Sequence, residues 1–171
     1  MPNTISVPAT KNKSLQPAIM TIILAWLVAG TFDISYAIIT WGPVFGKITA
    51  AQILQSIASA LMGKDAFTGG TPTALIGLAM HYGISLAWTM LYFFIYPHIP
   101  LLAKNKWVSG IVYGVVVWGM MTIVIVPLVM GRAWTYNTAP FLKSIAPMIL
   151  LFGPSIAFIT GKYFARTPKA L

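Results

Sequence analysis

The sequence contains very little acid and no thiol. Of its 171 residues, two are aspartate, none is glutamate and none is cysteine. The lack of cysteine excludes disulfides, a thiolate zinc site, an iron–sulfur cluster and c-type haem attachment. Only 8% of the residues are charged, against about 25% in a typical soluble domain. Because so few charged side chains cannot cover a water-exposed globular surface, an ordinary soluble domain is excluded.

Long apolar runs take the place of the missing charge. Apolar residues make up 58% of the chain, and the mean hydropathy is +0.82. Four runs reach the length of about 20 residues that crosses a bilayer. They predict transmembrane helices at about 18–41, 72–97, 107–130 and 144–163. The predicted fold is an all-α membrane protein, a four-transmembrane-helix bundle in which residues 1–171 form a single transmembrane domain.

The first apolar run has an alternative interpretation as a cleaved signal peptide. Lysines precede it, and the small residues Ala29 and Thr31 lie within it. However, the run extends well past the usual length of a signal-peptide apolar region. We therefore expect it to form a transmembrane helix.

The basic residues lie at the ends of the apolar runs. There are 11 Lys and Arg residues, and the formal net charge is +9. Seven lie in the two tails and the second connection, namely Lys11, Lys13, Lys104, Lys106, Lys162, Arg166 and Lys169. Four lie in the first and third connections, namely Lys47, Lys64, Arg132 and Lys143. Because cytoplasmic loops carry the excess of positive charge, we expect both termini in the cytoplasm.

Aromatic residues near the predicted boundaries agree with this topology, since they are enriched at membrane–water interfaces. On the cytoplasmic side these are Tyr96, Trp107 and Tyr163, and on the outer side Trp41, Trp134 and Tyr136. The basic residues are dispersed along the chain, whereas a nucleic-acid site would gather them on one face. The sequence therefore predicts the lipid bilayer as a partner and no nucleic acid.

The first connection contains a short amphipathic helix at about 49–62. Apolar residues recur at helical spacing, at Ala50, Ile53, Leu54, Ile57, Ala58 and Leu61. The predicted polar face consists of Gln52, Gln55, Ser56 and Ser59. Thr49 with Gln52 fits a capping box, and Gly63 fits a helix stop. We expect this helix to lie in the outer interface or to pack over the bundle, either as a cover for helix ends or as a gate.

One acidic residue and one histidine fall well inside the predicted spans. Asp33 has mostly small helical neighbours, among them Ala29 and Gly30, and His81 lies on a stripe with Gly77 and Ser85. A carboxylate in the bilayer core costs several kcal/mol unless it is protonated, paired or hydrated. Small residues allow helices to approach closely, so we expect both residues to face the bundle interior.

Counting the helical rise places these two residues at similar depths. Asp33 lies about 12 Å from the boundary at Trp41, and His81 about 15 Å from the boundary at Thr71. We therefore predict an Asp33–His81 pair in the outer half of the bundle. The remaining members of the predicted intramembrane polar centre are Tyr36, Thr122 and Ser155.

Such a pair has two interpretations. It is either a polar lock that fixes the register of two helices or a site that handles a proton or a polar ligand. Likewise, Gly110 and Gly114 predict close helix packing, either within the chain or in a homodimer. Pro127, Pro147 and Pro154 predict bends in the last two helices, which either serve packing or shape a cavity.

Several chemistries lack the residues that they require. A zinc site needs three or four ligands, and the few His and Asp residues are scattered. His98 is about 25 Å along the helix from His81, so the two cannot share an ion. No phosphate-binding loop, dinucleotide fingerprint or nucleophile elbow is present. We expect no metal, no cofactor and no enzymatic activity, although His81 could hold a haem together with a partner chain.

Several motifs stand out along the sequence, namely Gly30 to Ala37, Ile53 to Ser59, Ala66 to Gly70, His81-Tyr82, Gly110 to Gly114 and Val126 to Leu128. They resemble those of a family of small, uncharacterised bacterial integral membrane proteins, to which YagU-like inner-membrane proteins are distantly similar. The resemblance covers about residues 28–130. It supports the topology, implies a location in the bacterial inner (cytoplasmic) membrane and singles out Asp33, Gln55 and His81 as motif positions, but it implies no activity.

Two functional hypotheses follow. In the first, an Asp33/His81 centre handles protons or a small polar ligand. In the second, the protein is a non-catalytic accessory or scaffold subunit of a larger membrane complex. Its small size and its glycine-lined helix faces fit this second hypothesis, and a homodimer is a further option.

Overall fold

A computed structural model of the protein describes residues 15–131 and 138–166, and most of these residues are helical, with no β-strand among them. Within these ranges, four helical segments are long and apolar enough to span a membrane. They run over Gln16–Trp41, Gly70–His98, Lys106–Met130 and Phe141–Arg166, and we call them spans one to four. The predicted set of four membrane-length helices is therefore confirmed. The basic residues Lys11, Lys13, Arg132 and Lys169, with Trp134 and Tyr136, lie outside the described residues.

Spans three and four are not uniform α-helices. The α-helices in the described part of the chain are Gln16–Trp41 (α1), Ala50–Met62 (α2), Gly70–Ile95 (α3), Pro100–Lys104 (α4), Lys106–Gly119 (α5), Val126–Met130 (α6), Thr138–Pro147 (α7) and Gly153–Arg166 (α8). The π-helical turn Met120–Ile125 joins α5 to α6, and the π-helical turn Met148–Phe152 joins α7 to α8. Short 3-10 turns, Gly63–Phe67 and Tyr96–His98, flank α3.

Each π turn is adjacent to a proline that sequence analysis predicts to bend its helix. Pro127 follows the first π turn, and Pro147 precedes the second. A proline lacks the N–H group that an α-helix requires and its ring crowds the preceding turn. Widening the helix to π geometry is one way to relieve this conflict, and π turns occur frequently at functional sites.

The short helix between spans one and two begins with the predicted capping box. The Thr49 hydroxyl accepts the Gln52 N–H at 3.2 Å, and the Gln52 side chain accepts the Thr49 N–H at 2.8 Å. At the other end Gly63 has φ +60°, a left-handed-side value that favours glycine. Local signals therefore define both ends of α2.

Helix α2 packs against the first half of α3. A Cβ on Gly77 would lie 1.9 Å from the backbone oxygen of Leu54, so no side chain fits at that crossing. Gln55, which sequence analysis assigns to the polar face of this helix, lies against α3. It is buried, and its side-chain amide donates to the Gly70 carbonyl at 3.0 Å and lies 3.3 Å from the Thr73 hydroxyl. This happens because α3 covers the edge of α2 on which Gln55 stands.

The glycines of span three pack within the chain. A Cβ on Gly110 would lie 2.6 Å from Pro154 Cα, and one on Gly114 would lie 2.1 Å from the Met148 carbonyl oxygen. From the opposite side, a Cβ on Gly153 would lie 2.0 Å from the Gly110 carbonyl oxygen. Of the two alternatives for Gly110 and Gly114, the structure therefore has the packing within the chain.

The two ends of the bundle can be told apart by their contacts. At one end, the Lys143 Nζ atom lies 5.2 Å from the centre of the Trp41 ring. At the other, the Tyr96 and Phe164 rings stack at 5.1 Å. We call these the Trp41 end and the Tyr96 end. Between them, many large apolar side chains point outward and are exposed, among them Leu24, Leu75 and Val112, as expected for surfaces that face lipid.

Candidate functional site

Three polar contacts join α1 to α3 near the middle of the bundle. The His81 Nε2 atom lies 2.9 Å from the Gly30 carbonyl oxygen. The Trp26 indole N–H donates to the Tyr82 carbonyl at 2.7 Å, and the Tyr82 hydroxyl lies 2.8 Å from that of Thr31. These contacts fix the rotation of α1 relative to α3.

Glycine makes this crossing close enough for the contacts to form. A Cβ on Gly30 would lie 2.9 Å from the Ser85 hydroxyl oxygen and 3.1 Å from the Tyr82 ring. The small residues that sequence analysis places around Asp33 and His81 therefore do lie at a helix–helix contact. As a consequence, the two ionisable residues stand on facing helices.

Asp33 and His81 both line one chamber of about 590 Å³. They are close enough to interact electrostatically, and each side chain is half-buried. The predicted depths of these two residues therefore correspond to a shared location in the structure. The His81 hydrogen bond goes to the Gly30 carbonyl, and no hydrogen bond reaches the Asp33 carboxylate among the described residues.

The contact to Gly30 fixes the chemical state of one His81 nitrogen. A carbonyl oxygen can only accept a hydrogen bond, so Nε2 must carry the hydrogen. In the neutral ring the other nitrogen, Nδ1, then has a free lone pair. His81 is therefore oriented by the backbone of α1 and keeps one nitrogen that can take up a proton.

The rest of the chamber wall is almost entirely apolar. Span one contributes Asp33, and α3 contributes His81 and its neighbours Met80, Ile84, Ser85 and Trp88. Helix α2 and the third and fourth spans supply the remaining lining residues, which are Ser56, Ile57, Ala60, Leu61, Val117, Met121, Ile125, Val126, Val129, Met130, Met148 and Phe152. Both π turns contribute to this wall, through Met121 and Ile125 in one and Met148 and Phe152 in the other.

Other predicted site residues lie elsewhere. Tyr36, Thr122 and Ser155 are half-buried but are not part of the chamber wall. Of the predicted polar face of α2, only Ser56 reaches the chamber, and its hydroxyl donates to the Ile53 carbonyl at 2.6 Å. Gln52 caps the helix, and the Ser59 hydroxyl bonds to the Ser56 carbonyl.

Sequence reasoning did not assign Ser85, Trp88 or the methionines to the site. Ser85 was recognised only as a small residue on the His81 stripe. Its side chain is 3% exposed, and its hydroxyl has no hydrogen-bond partner in the described structure. The four methionines of the wall carry no sequence signal, because methionine is common in any apolar helix.

Tyrosines lie on the side of the chamber toward the Tyr96 end. The Tyr92 hydroxyl lies 2.8 Å from the Ser109 hydroxyl, and the Tyr113 hydroxyl donates to the Trp88 carbonyl. The Tyr92 and Tyr113 rings are in contact, with centroids 4.7 Å apart. These contacts join span two to span three below the chamber.

A second groove lies beside the chamber, between spans two and three. It shares Ile84, Trp88, Met121 and Ile125 with the chamber. Its two other lining residues, Ala87 and Leu91, are exposed on the outer surface of α3. Four side chains therefore line both the chamber and a groove on the surface that would face lipid.

The residues present do not assemble a metal site. Within residues 15–131 and 138–166, no group of three or more His, Asp or Glu side chains could hold an ion. His98 lies in the exposed 3-10 turn at the Tyr96 end, away from His81. The chemistry of the chamber therefore rests on one carboxylate and one imidazole.

Compared with known proteins, the chain matches no family model, no curated protein and no solved structure. Function must therefore be argued from the chamber itself.

Proposed function

We propose that the protein is a multi-pass protein of the bacterial inner membrane in which an Asp33/His81 centre exchanges a proton as a ligand binds in the chamber. The observation that carries this proposal is the chamber wall. Among the described residues that line it, Asp33 and His81 are the only titratable side chains. Ionisable groups inside a membrane are costly and often mark pathways or binding sites.

The surroundings of Asp33 support an exchangeable proton. No described residue donates a hydrogen bond to its carboxylate, and the neighbouring side chains of the wall are apolar. A carboxylate in such a place is stable when it is protonated or when a cation lies beside it. Binding and release of a ligand would change which of these two states is favoured.

His81 provides a second group for the proposed proton exchange with Asp33. Its ring is held through Nε2 on the Gly30 carbonyl, which leaves Nδ1 for a proton. Histidine is the side chain that titrates nearest to neutral pH. We propose that the contact to Gly30 positions the ring and that Nδ1 communicates with Asp33.

The proposed orientation places both termini and the Tyr96 end in the cytoplasm, following the distribution of basic residues. The chamber would then open toward the outer half of the bilayer, with α2 beside it as an interfacial cover. Kinship with the small bacterial family whose motifs the sequence resembles is part of this proposal, since Asp33 and His81 are motif positions that share the chamber.

Infrared spectroscopy of the purified full-length protein tests the proton directly. Asp33 and Asp65 are the only side-chain carboxyl groups in the chain. A pH-difference spectrum across about pH 4 to 9 should therefore show the protonated-carboxyl band of Asp33. Asp33→Asn should remove this band, whereas Asp65→Asn, the matched control, should leave it in place.

The Asp33 band should lie at higher frequency than that of a carboxyl group in water, because a carboxyl group in an apolar wall accepts fewer hydrogen bonds. A spectrum in which Asp33→Asn removes no band anywhere in that pH range would contradict the proposal. Retention of the native size-exclusion profile shows that a variant is folded.

The alternative, a non-catalytic accessory subunit, loses part of its support. It relied on glycine-lined helix faces available to a partner. However, Gly153, Pro154 and Met148 of the same chain already pack against Gly110 and Gly114. Purification in mild detergent with mass analysis of co-purifying molecules distinguishes the two. A stoichiometric protein partner would favour the accessory role, whereas a lone monomer or homodimer would count against it.

A further inference from the structure

The chamber combines one acid with a long apolar wall, and this combination defines a class of ligand. We propose that it binds an amphipathic organic cation, with the charged group beside Asp33 and the hydrocarbon part among the apolar side chains. This inference rests on the proposed function and deepens it, because it names what competes with the proton at Asp33.

The charges of the wall favour a cation. The chain has a large excess of basic residues, yet no lysine or arginine among the described residues lines the chamber. An anionic ligand would therefore meet the Asp33 carboxylate without a fixed positive charge to offset it. A cation, by contrast, would supply the counter-charge that an intramembrane carboxylate lacks.

His81 does not fully replace such a cation. Its Nε2–H group is committed to the Gly30 carbonyl rather than to the carboxylate. The residues described include no salt bridge between Asp33 and His81, although the two interact electrostatically. The carboxylate therefore remains open on its chamber side.

The size and lining of the chamber favour an amphipathic molecule. A volume of about 590 Å³ lies within the roughly 300–1,000 Å³ of typical ligand pockets. Met80, Met121, Met130 and Met148 supply flexible, polarisable side chains that can adapt to different hydrocarbon shapes. Trp88 adds an aromatic ring, which can attract a cation through its π face.

The groove between spans two and three provides a route from the bilayer. Ala87 and Leu91 are exposed at its mouth, and Trp88 and Met121 belong to both the groove and the chamber. An amphipathic cation dissolved in the membrane could therefore enter sideways without crossing the tyrosine contacts at the Tyr96 end.

The proposed site couples cation binding to proton release. The Asp33 carboxylate can hold either a proton or the cation, so binding should weaken as the pH falls. The other titratable group facing Asp33 is His81 on α3, with Tyr82 beside it. Helix α2, the third span and the fourth-span π turn contribute no titratable side chain to the described wall, and Lys143 of α7 lies over the Trp41 ring.

Binding of radiolabelled tetraphenylphosphonium to the full-length protein in detergent tests the inference. This probe is lipophilic and permanently charged, so its own charge does not change with pH. We expect saturable binding that weakens at least tenfold on Asp33→Asn and on acidification. Asp33→Glu should retain binding, and Asp65→Asn, the matched control, should leave it unchanged.

Two further measurements identify the reason for any loss of binding. Triphenylphosphine oxide, a neutral analogue of similar shape, should compete at least tenfold more weakly than the unlabelled cation. Ala60→Phe, which fills the chamber, should abolish binding while the Asp33 infrared band persists. The persistence of that band in Ala60→Phe shows that the Asp33 carboxyl group itself is unchanged.

The outcomes separate this inference from the proposed function. Equal competition by the neutral analogue, or unchanged binding in Asp33→Asn, would overturn the cation inference even if the Asp33 band titrates. Absence of saturable binding by the native protein would overturn it as well. If the Asp33 band were missing, the proposed proton exchange would fail independently of any binding result.

Discussion

The His81 ring on α3 donates through Nε2 to the Gly30 carbonyl oxygen on α1, at 2.9 Å. One residue therefore belongs both to the contact that holds two spans together and to the wall of the chamber. The two interpretations of the Asp33–His81 centre, a structural lock and a functional site, are therefore not exclusive. The Nε2 atom of His81 makes the structural hydrogen bond to Gly30, and Nδ1 is left for the proposed proton exchange.

Removing the His81 ring should weaken the contact between spans one and two. Hydrogen bonds between membrane helices contribute about 0.6–2 kcal/mol. We therefore expect His81→Ala to lower the free energy of unfolding by about 1–2 kcal/mol, measured by thermal or denaturant unfolding in detergent. His98→Ala, in the exposed turn at the Tyr96 end, is the control and should change it by less than about 0.5 kcal/mol. Equal effects of the two variants would contradict the role of the Gly30 contact.

Enlarging Gly114 should disturb the packing of span three against span four. A methyl group there would lie 2.1 Å from the Met148 carbonyl oxygen, in backbone that cannot move aside easily. We expect Gly114→Ala to cost about 1–3 kcal/mol of stability, as overpacking does. Gly119→Ala is the matched control in the same helix, because a Cβ there has no neighbour within 4 Å. Gly119→Ala should be neutral or stabilising, since alanine favours helix. A larger loss of stability in Gly119→Ala than in Gly114→Ala would contradict the packing of span three against span four.

Truncating Ser85 should be tolerated, unlike truncating the other buried serine. The Ser85 hydroxyl has no partner, so Ser85→Ala removes an unsatisfied polar group and should be neutral or slightly stabilising. Ser109→Ala should cost about 1 kcal/mol because it leaves the Tyr92 hydroxyl without its partner. Thermal unfolding of both variants checks the difference. A marked loss in Ser85→Ala alone would mean that its hydroxyl is bonded.

The proposed topology can be tested by single-cysteine labelling, because the native chain contains no cysteine. Thr68→Cys, between α2 and α3, should react with a membrane-impermeant maleimide in intact spheroplasts. Ala103→Cys, in α4, should react only after permeabilisation, because it lies on the side richer in positive charge. Both positions are exposed in the structure. The reverse pattern of labelling would invert the proposed orientation.

The parts of the fold that could be predicted depend on local properties of the chain. The spans follow from hydropathy, which requires only that about 20 neighbouring residues be apolar. The start of α2 follows from Thr49 and Gln52, whose side chains bond backbone within the same turn. Even the shared depth of Asp33 and His81 follows from a constant rise along each helix.

The features that could not be predicted have a common physical cause. The burial of Gln55, on the polar face of α2, could not be predicted because the periodicity of one helix does not reveal which neighbour covers its edge. Ser85 and Trp88 were not assigned to the site because their role depends on how far α3 is rotated toward the chamber. The choice between packing within the chain and a homodimer for Gly110 depended likewise on the position of Pro154 in another span.

The sequence by itself therefore determined that the protein is a four-span helical bundle with one acid inside it, since length and polarity along a helix decide both. Only the tertiary structure decided that Asp33 shares a largely apolar chamber with His81, beside a groove on the surface that would face lipid. That arrangement depends on close glycine crossings and two π turns, which set how the helices rotate and separate. Such contacts between distant segments are not encoded in the periodicity of any single segment.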